Sequence, residues 1–287
     1  MKFRKNLLTQ VVAIALCGAF VSSASAASFT ITDGLNTSAN IDDAGYFSSS
    51  SALGLSYFGR EFVNLGTWSS NYSLNANGAS VGVADQVTGS NPLAASILFG
   101  GGNVVLTSSF GGAWAFTETV SIPAPGHVAV QIQLTNTTAA TATDVQWGVG
   151  IDPDQGVPVG LGFETTNVIN ATGNASSVTA TSLDGWSLTL ANTTGAAASA
   201  INPFVDTTAC CSPVDPALML AAAQAPGSYG FGDYSINLAY DLGNIASQQS
   251  VTFGYEYIMA VPEPETYAML LAGLGLIGFS ARRRMQG

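Results

Sequence analysis

Over long stretches of the chain, apolar and polar residues alternate one for one. Val128, Val130, Ile132 and Leu134 alternate with Ala129, Gln131, Gln133 and Thr135, the period of a strand with one buried face. The same period places Val145, Trp147, Val149 and Ile151 on one face, then Trp186, Leu188 and Leu190, then Ile236, Leu238 and Tyr240. It recurs in Val251, Phe253, Tyr255, Tyr257 and Met259, and in Trp114, Phe116, Glu118 and Val120, where a carboxylate joins an apolar row. Turn clusters separate the runs, among them Asn136-Thr137-Thr138, residues 170–174 and Asn192-Thr193-Thr194-Gly195. LTNTTAATAT and LANTTGAAAS look alike, but no further copy follows, so they read as two similar loops. Helix signals are few: residues 216–225 start on a proline and continue in strong helix formers, and residues 196–201 form a weaker candidate. The pattern predicts an all-β body, an antiparallel β-sandwich.

Both ends break this pattern. Lys2, Arg4 and Lys5 precede an apolar run over residues 7–21, and small residues follow over 22–28. That is the layout of a secretory signal peptide. Ala24 and Ala26 fit the cleavage rule, so Ala27 is the expected first residue of the exported form. At the other end Val261, Pro262, Glu263 and Pro264 lead into fifteen apolar or small residues, 267–281, closed by Arg282, Arg283 and Arg284. This run is shorter than the roughly 20 residues that normally cross a bilayer. The arginines at its far end nevertheless resist translocation and leave an acidic body outside. The expected organisation is a leader at 1–26, a sandwich body at 27–260 and a tail at 261–287 with a single hydrophobic helix.

With the ends set aside, the charge changes character. Between residues 27 and 264, Arg60 alone stands against seventeen Asp and Glu, a net charge of about −16. Such a surface repels phosphate backbones, which argues against a nucleic-acid partner and suits metal cations or uncharged polymers. A body of about 240 residues can bury a core without covalent staples. Only Cys210 and Cys211 remain in it, adjacent in sequence, so there is no disulfide framework. Two free or partly buried thiols are the simpler expectation, because a bond between neighbours closes a strained ring. Two cysteines with no histidine nearby are also too few for structural zinc.

Catalytic patterns are sparse. The one histidine, His127, sits at a turn-to-strand junction with no nucleophile elbow to serve. The body has no lysine for a phosphate-binding loop. A pair of glycosidase carboxylates is a matter of three-dimensional spacing, with Glu118 the acid on an apolar face. The expectation is therefore a protein that is not an enzyme. In IDPDQG, directly after a strong strand, Asp152 and Asp154 offer carboxylates at alternate positions and Gln155 a carbonyl, a donor set suited to calcium. The plainer alternative is a strand-ending turn in which the aspartates cap backbone amides and Pro153 sets the bend. No cofactor is required; calcium is the one candidate. Arg60 beside Glu61 reads as an internal ion pair or hydrogen-bonded clamp.

The tail resembles the sorting signal of the bacterial PEP-CTERM proteins. Val261-Pro262-Glu263-Pro264, then Thr266-Tyr267-Ala268, the Leu/Gly-rich run and the arginine cluster carry the resemblance, and Glu265 stands where the family often has a small residue. The resemblance implies export across the inner membrane of a Gram-negative bacterium, transient retention there, and recognition by an exosortase-type processing enzyme near Pro-Glu-Pro. It further implies release or attachment at the cell surface in organisms that make exopolysaccharide or biofilm matrix, with exopolysaccharide as a candidate partner. The motif also bears the label of an ice-binding protein C-terminal domain, but ranks of Thr-x-Thr are missing from this body. For the body two expectations follow: a non-catalytic structural or adhesive scaffold, or a carbohydrate-binding or carbohydrate-active module. Burial of Trp68, Trp114, Trp147 and Trp186 would favour the scaffold.

Overall fold

The computed structural model describes residues 28–47, 54–63, 67, 69–195, 198–262 and 274. In chain order the first strands are β1 (Ser28–Thr32), β2 (Thr37–Asp42), β3 (Leu55–Tyr57), β4 (Arg60–Glu61), β5 (Ser70–Ala76) and β6 (Ala79–Asp85). Next come β7 (Ile97–Phe99), β8 (Val104–Phe110), β9 (Trp114–Ala124), β10 (His127–Asn136), β11 (Ala142–Ile151) and β12 (Thr165–Ala171). The last are β13 (Ser177–Thr181), β14 (Ser187–Asn192), β15 (Ala200–Asp206), helix α1 (Pro216–Ala221), β16 (Gly227–Gly232), β17 (Ser235–Ile245) and β18 (Ser250–Ala260). The strands pair antiparallel into three sheets: a nine-stranded sheet in the order β16-β12-β13-β14-β18-β10-β9-β8-β7, a five-stranded sheet β15-β17-β11-β5-β6, and a four-stranded sheet β1-β2-β3-β4. The all-β, antiparallel reading of the sequence holds.

The alternating rows meet between the sheets. Val128, Val130, Ile132 and Leu134 are buried on β10, and Phe253, Tyr255, Tyr257 and Met259 on β18, so the inner face of the large sheet is apolar along its centre. Trp147 of β11 reaches across from the five-stranded sheet. Its ring stacks on Tyr72 at 5.1 Å and on Phe116 at 6.0 Å, and meets Phe253 edge-on at 5.6 Å. Further along the same face of β18, Tyr257 meets Phe47 edge-on at 5.1 Å, which brings the segment after β2 onto the large sheet. One hydrophobic cluster therefore runs through all three sheets.

The middle of the five-stranded sheet is covered on both faces. Every residue of β5 is buried, as are residues 147–151 of β11. Helix α1 lies on the outer face; a side chain at Gly148 would come within 3.0 Å of Met219 and 2.9 Å of Ser73. Asp215 caps the helix by accepting the Ala217 amide at 2.9 Å. The helix is shorter than the sequence suggests, because Gln224 serves β15 instead. It accepts the Val205 amide at 2.8 Å and donates to the Val205 carbonyl at 3.0 Å, which satisfies an edge of the sheet. Of the weaker helix expected at 196–201, residues 196 and 197 lie outside the described residues, and the rest is not helical: Ala200 opens β15, where Ile201, Pro203 and Val205 are buried in alternation against β17. There the period of two prevails over the alanine propensity.

Glu118 occupies its predicted place in the apolar row of β9 and is 2% exposed. The loop after β2 closes over it. Gly45 adopts φ +79°, and any side chain there would strike the Glu118 carboxylate at 2.3 Å. Burial, with a smaller contribution from Asp42, raises the pKa of Glu118 to about 8 from an ordinary 4.5. Tyr72 and Tyr257 face the same carboxyl group, and both phenols are held above their ordinary value by burial first and by Glu118 second. A raised folded-state pKa gives stability that is complete below about pH 4.5 and lost as pH rises through about 8, at up to about 1.4 kcal/mol per pH unit. Glu118→Gln should remove this dependence. In denaturant titrations the variant should gain on the parent by roughly 2–4 kcal/mol between about pH 5 and pH 9, and parallel curves would show that Glu118 is not held neutral.

Candidate functional site

β11 ends at Ile151, and the next residues are pinned by their backbone to the segment between β4 and β5. The Asp152 amide donates to the Ser69 carbonyl at 2.9 Å and the Asp154 amide to the Phe62 carbonyl at 2.7 Å. The side chains of Asp152 and Asp154 are thereby held inside, 2% and 1% exposed. Asp233, from the exposed turn between β16 and β17, completes a group of three carboxylates, one oxygen from each lying within 4.8 Å of the others. Among the described residues, Asp152 Oδ1 and both oxygens of Asp154 have no hydrogen-bond partner. The expected turn, with these aspartates capping amides, is therefore not what forms at Asp154. Its backbone makes the turn, accepting the Val157 amide at 3.0 Å, while its carboxylate points elsewhere.

Burial pushes all three carboxyl groups upward. Asp233 adds to the shift on Asp152, Asp152 and Asp233 to that on Asp154, and Glu164 to that on Asp233. No lysine and one arginine occur in the body, and that arginine is engaged elsewhere: Arg60 pairs with Asp184 at 2.6 Å and lies 4.3 Å over the ring of Trp186. Arg60 and Glu61 are thus not the clamp expected from their adjacency. Neighbouring strand residues point to opposite faces, and Glu61 turns inward to accept the Leu55 and Val63 amides at 3.2 and 2.9 Å. Gln155 is fully buried and donates to the Ala180 and Trp186 carbonyls at 3.0 and 3.3 Å, which ties the acidic loop to β13 and the start of β14.

A pocket of about 310 Å³ opens onto this group, lined by Thr67, Asp152, Phe163, Cys210, Cys211 and Asp233. Cys210 and Cys211 are joined by a disulfide, contrary to the expectation of free thiols. The turn after β15 directs both sulfurs to the same side, and Cys211 Sγ lies 3.2 Å from Asp152 Oδ2. Asp233 could not have been found from the sequence. It sits in a Gly-Asp-Tyr turn like many others, and only the approach of β16 and β17 to the end of β11 gives it meaning.

A second concavity, about 430 Å³, lies on the outer face of the nine-stranded sheet, where Thr119, Ser121, Gln131, Thr193 and Thr252 supply hydroxyl and amide groups. His127 begins β10, as expected, and its Nδ1 lies 3.0 Å from Glu256 Oε1. Trp114 and Trp147 are in the core, and Trp186 is half-buried beneath Arg60. Trp68, the cleavage residues Ala24, Ala26 and Ala27, and Glu263, Pro264, Arg282, Arg283 and Arg284 of the tail lie outside the described residues, as do residues 267–281 apart from Leu274. Among the described residues no helix is long and apolar enough to cross a membrane. Val261 and Pro262 follow directly on β18, with the Pro262 ring beside Gly185.

Residues 260–284 match a family model described as the PEP-CTERM protein-sorting motif. The chain carries that sorting motif immediately after the last strand of its β-rich body, which supports an exported, exosortase-sorted protein. A comparison with curated proteins finds no match. Among solved structures the chain is similar to a heparinase III (9% identity, 83% of this chain and 35% of that one, TM-score 0.42). It is also similar to the heparan sulfate lyase HepC from Pedobacter heparinus (12% identity, 82% and 35%, TM-score 0.43). The chain spans about a third of the length of these proteins, and a likeness of this degree carries nothing about substrate or activity.

The disulfide is open to direct test. Alkylation of the unreduced, denatured protein should leave the peptide containing Cys210 and Cys211 unlabelled, and prior reduction should add two labels. Labelling without reductant would restore the free-thiol reading.

Proposed function

We propose that this protein is exported by its leader, held briefly in the inner membrane by its tail, processed by an exosortase-type enzyme near Pro262, Glu263 and Pro264, and delivered to the cell surface or exopolysaccharide matrix. The body then serves there as a non-catalytic structural or adhesive component. The match of residues 260–284 to the sorting motif carries the reading. The physical chemistry of the tail supports it. An apolar run is favourable in lipid, three arginines resist translocation, and two prolines keep the intervening segment from joining a helix or sheet ladder, leaving it accessible to a processing enzyme.

In a host with the matching exosortase, the released protein should begin at Ala27 and lack Arg282, Arg283 and Arg284 by intact mass. Replacing Pro262, Glu263 and Pro264 together by alanine should leave a longer species in the membrane fraction. Release of that variant at the parental rate and mass would defeat the reading.

The groove on the outer sheet favours a second reading, in which the body binds an uncharged glycan. Thr119, Ser121, Gln131 and Thr252 present the hydroxyl and amide groups that pair with sugar hydroxyls. Co-sedimentation with the host's purified exopolysaccharide should then weaken about tenfold in Gln131→Ala, with the fold unchanged by circular dichroism. Equal retention of variant and parent would remove the groove from consideration.

A further inference from the structure

We propose that Asp152, Asp154 and Asp233 form a calcium site that pins one corner of the sandwich. Two oxygens held by one calcium ion at 2.3–2.6 Å lie no more than about 5 Å apart. The three carboxylates already meet this limit, with one oxygen from each lying within 4.8 Å of the others. The second observation is independent of the clustering. Asp154 is 1% exposed, points into the group, and has two oxygens with no partner among the described residues. A buried carboxyl group in that state either gives up its charge or bears the desolvation cost of keeping it, and in both cases its oxygens lack contacts that a hard cation supplies.

Among the described residues no side-chain cation competes for the place. The single arginine of the body is committed to Asp184, His127 pairs with Glu256 on β18, and Glu164, the other charge acting on Asp233, is also acidic. The donors are carboxylates, and the sulfurs beside them are tied in a disulfide, so the site suits calcium rather than a thiophilic metal. The pocket in front of Asp152 and Asp233 opens to solvent and has room for the waters that complete a coordination shell of six to eight oxygens. Mechanically, the ion would join the end of β11, in the five-stranded sheet, to the turn where the chain passes from β16 in the large sheet to β17 in the smaller one. This inference does not depend on the sorting reading.

The test is the thermal unfolding of the full chain in detergent, near pH 7.5, in about 5 mM calcium, about 5 mM magnesium or EGTA. A ligand that binds only the folded state raises Tm, and a site with a dissociation constant of about 1 mM in a domain of this size should raise it by roughly 2–4 °C, a tighter site by more. Magnesium should give less than half of this. Asp233→Asn, at an exposed turn, should fold as the parent does and lose the calcium response. Asp154→Asn should also lose it, while matching or exceeding the parent's Tm in EGTA because a buried carboxyl group without a partner is gone. The proposal is overturned if calcium and EGTA give the same Tm for the parent, if magnesium acts equally, or if Asp233→Asn still responds in full.

Discussion

The architecture depends on a single packing contact between sheets, the ring of Trp147 against its aromatic neighbours. Tyr72 lies beside it on the next strand of the same sheet, and Phe116 and Phe253 meet it from β9 and β18 of the other, all with ring centroids 5.1 to 6.0 Å away. Removing a buried aromatic side chain of this kind costs about 3–5 kcal/mol, a large fraction of the stability of an ordinary domain. The contact also fixes register. A slip of one residue in β11 would turn Trp147 outward and drive Gly148 and Gly150 into the core. The outer face of β11 favours glycine at those positions, because a side chain would displace Met219 and Ser73 at the one and strike Asn71 and Asn237 at the other.

The strands of the large sheet were legible because one face of each is wet. The alternation in β10 and β18 translates directly into buried and exposed positions. The five-stranded sheet was less legible in depth. Its rows Val145-to-Ile151 and Ile236-to-Tyr240 were visible, but nothing in them announced that Asn71, Ser73 and Asn237 would also be buried, beneath α1 and the adjoining loops. Local chemistry misled where long-range contact decided the outcome. Residues 200 and 201 looked helical and became strand through pairing with β17, and Arg60 found Asp184 rather than its neighbour. Two of the three members of the acidic site were readable, since Asp152 and Asp154 follow a strong strand; Asp233 required the fold.

A body nearly free of positive charge must handle buried acids without the usual partner. Glu118 manages through neutrality, a protonated carboxyl closed in by Gly45 and two tyrosines. The aspartates at the end of β11 are also buried, but a pocket lined by Asp152 and the exposed Asp233 gives a cation a way to them. The same scarcity of cations thus raises the pKa of the acids in both places, and only the corner, with its pocket, offers a cation an entry.

That corner and the exit of the chain are neighbours. Gln155, next to Asp154, donates to the Trp186 carbonyl, and the following residue, Ser187, pairs with Ala260 at the end of β18. β18 is an interior strand, hydrogen-bonded to β14 on one side and β10 on the other, and the sorting motif begins at its last residue. A pull along the axis of β18 would therefore act on a strand held by two ladders, so many hydrogen bonds would have to shear together before the strand moved. An edge strand such as β7 or β16 would be held on one side alone. On the sorting reading, the body can be folded while the tail is in the membrane and remain folded when it is cut. The acidic corner lies at this end of the sandwich, where a bound cation would tie the loop that supports the exit to both sheets.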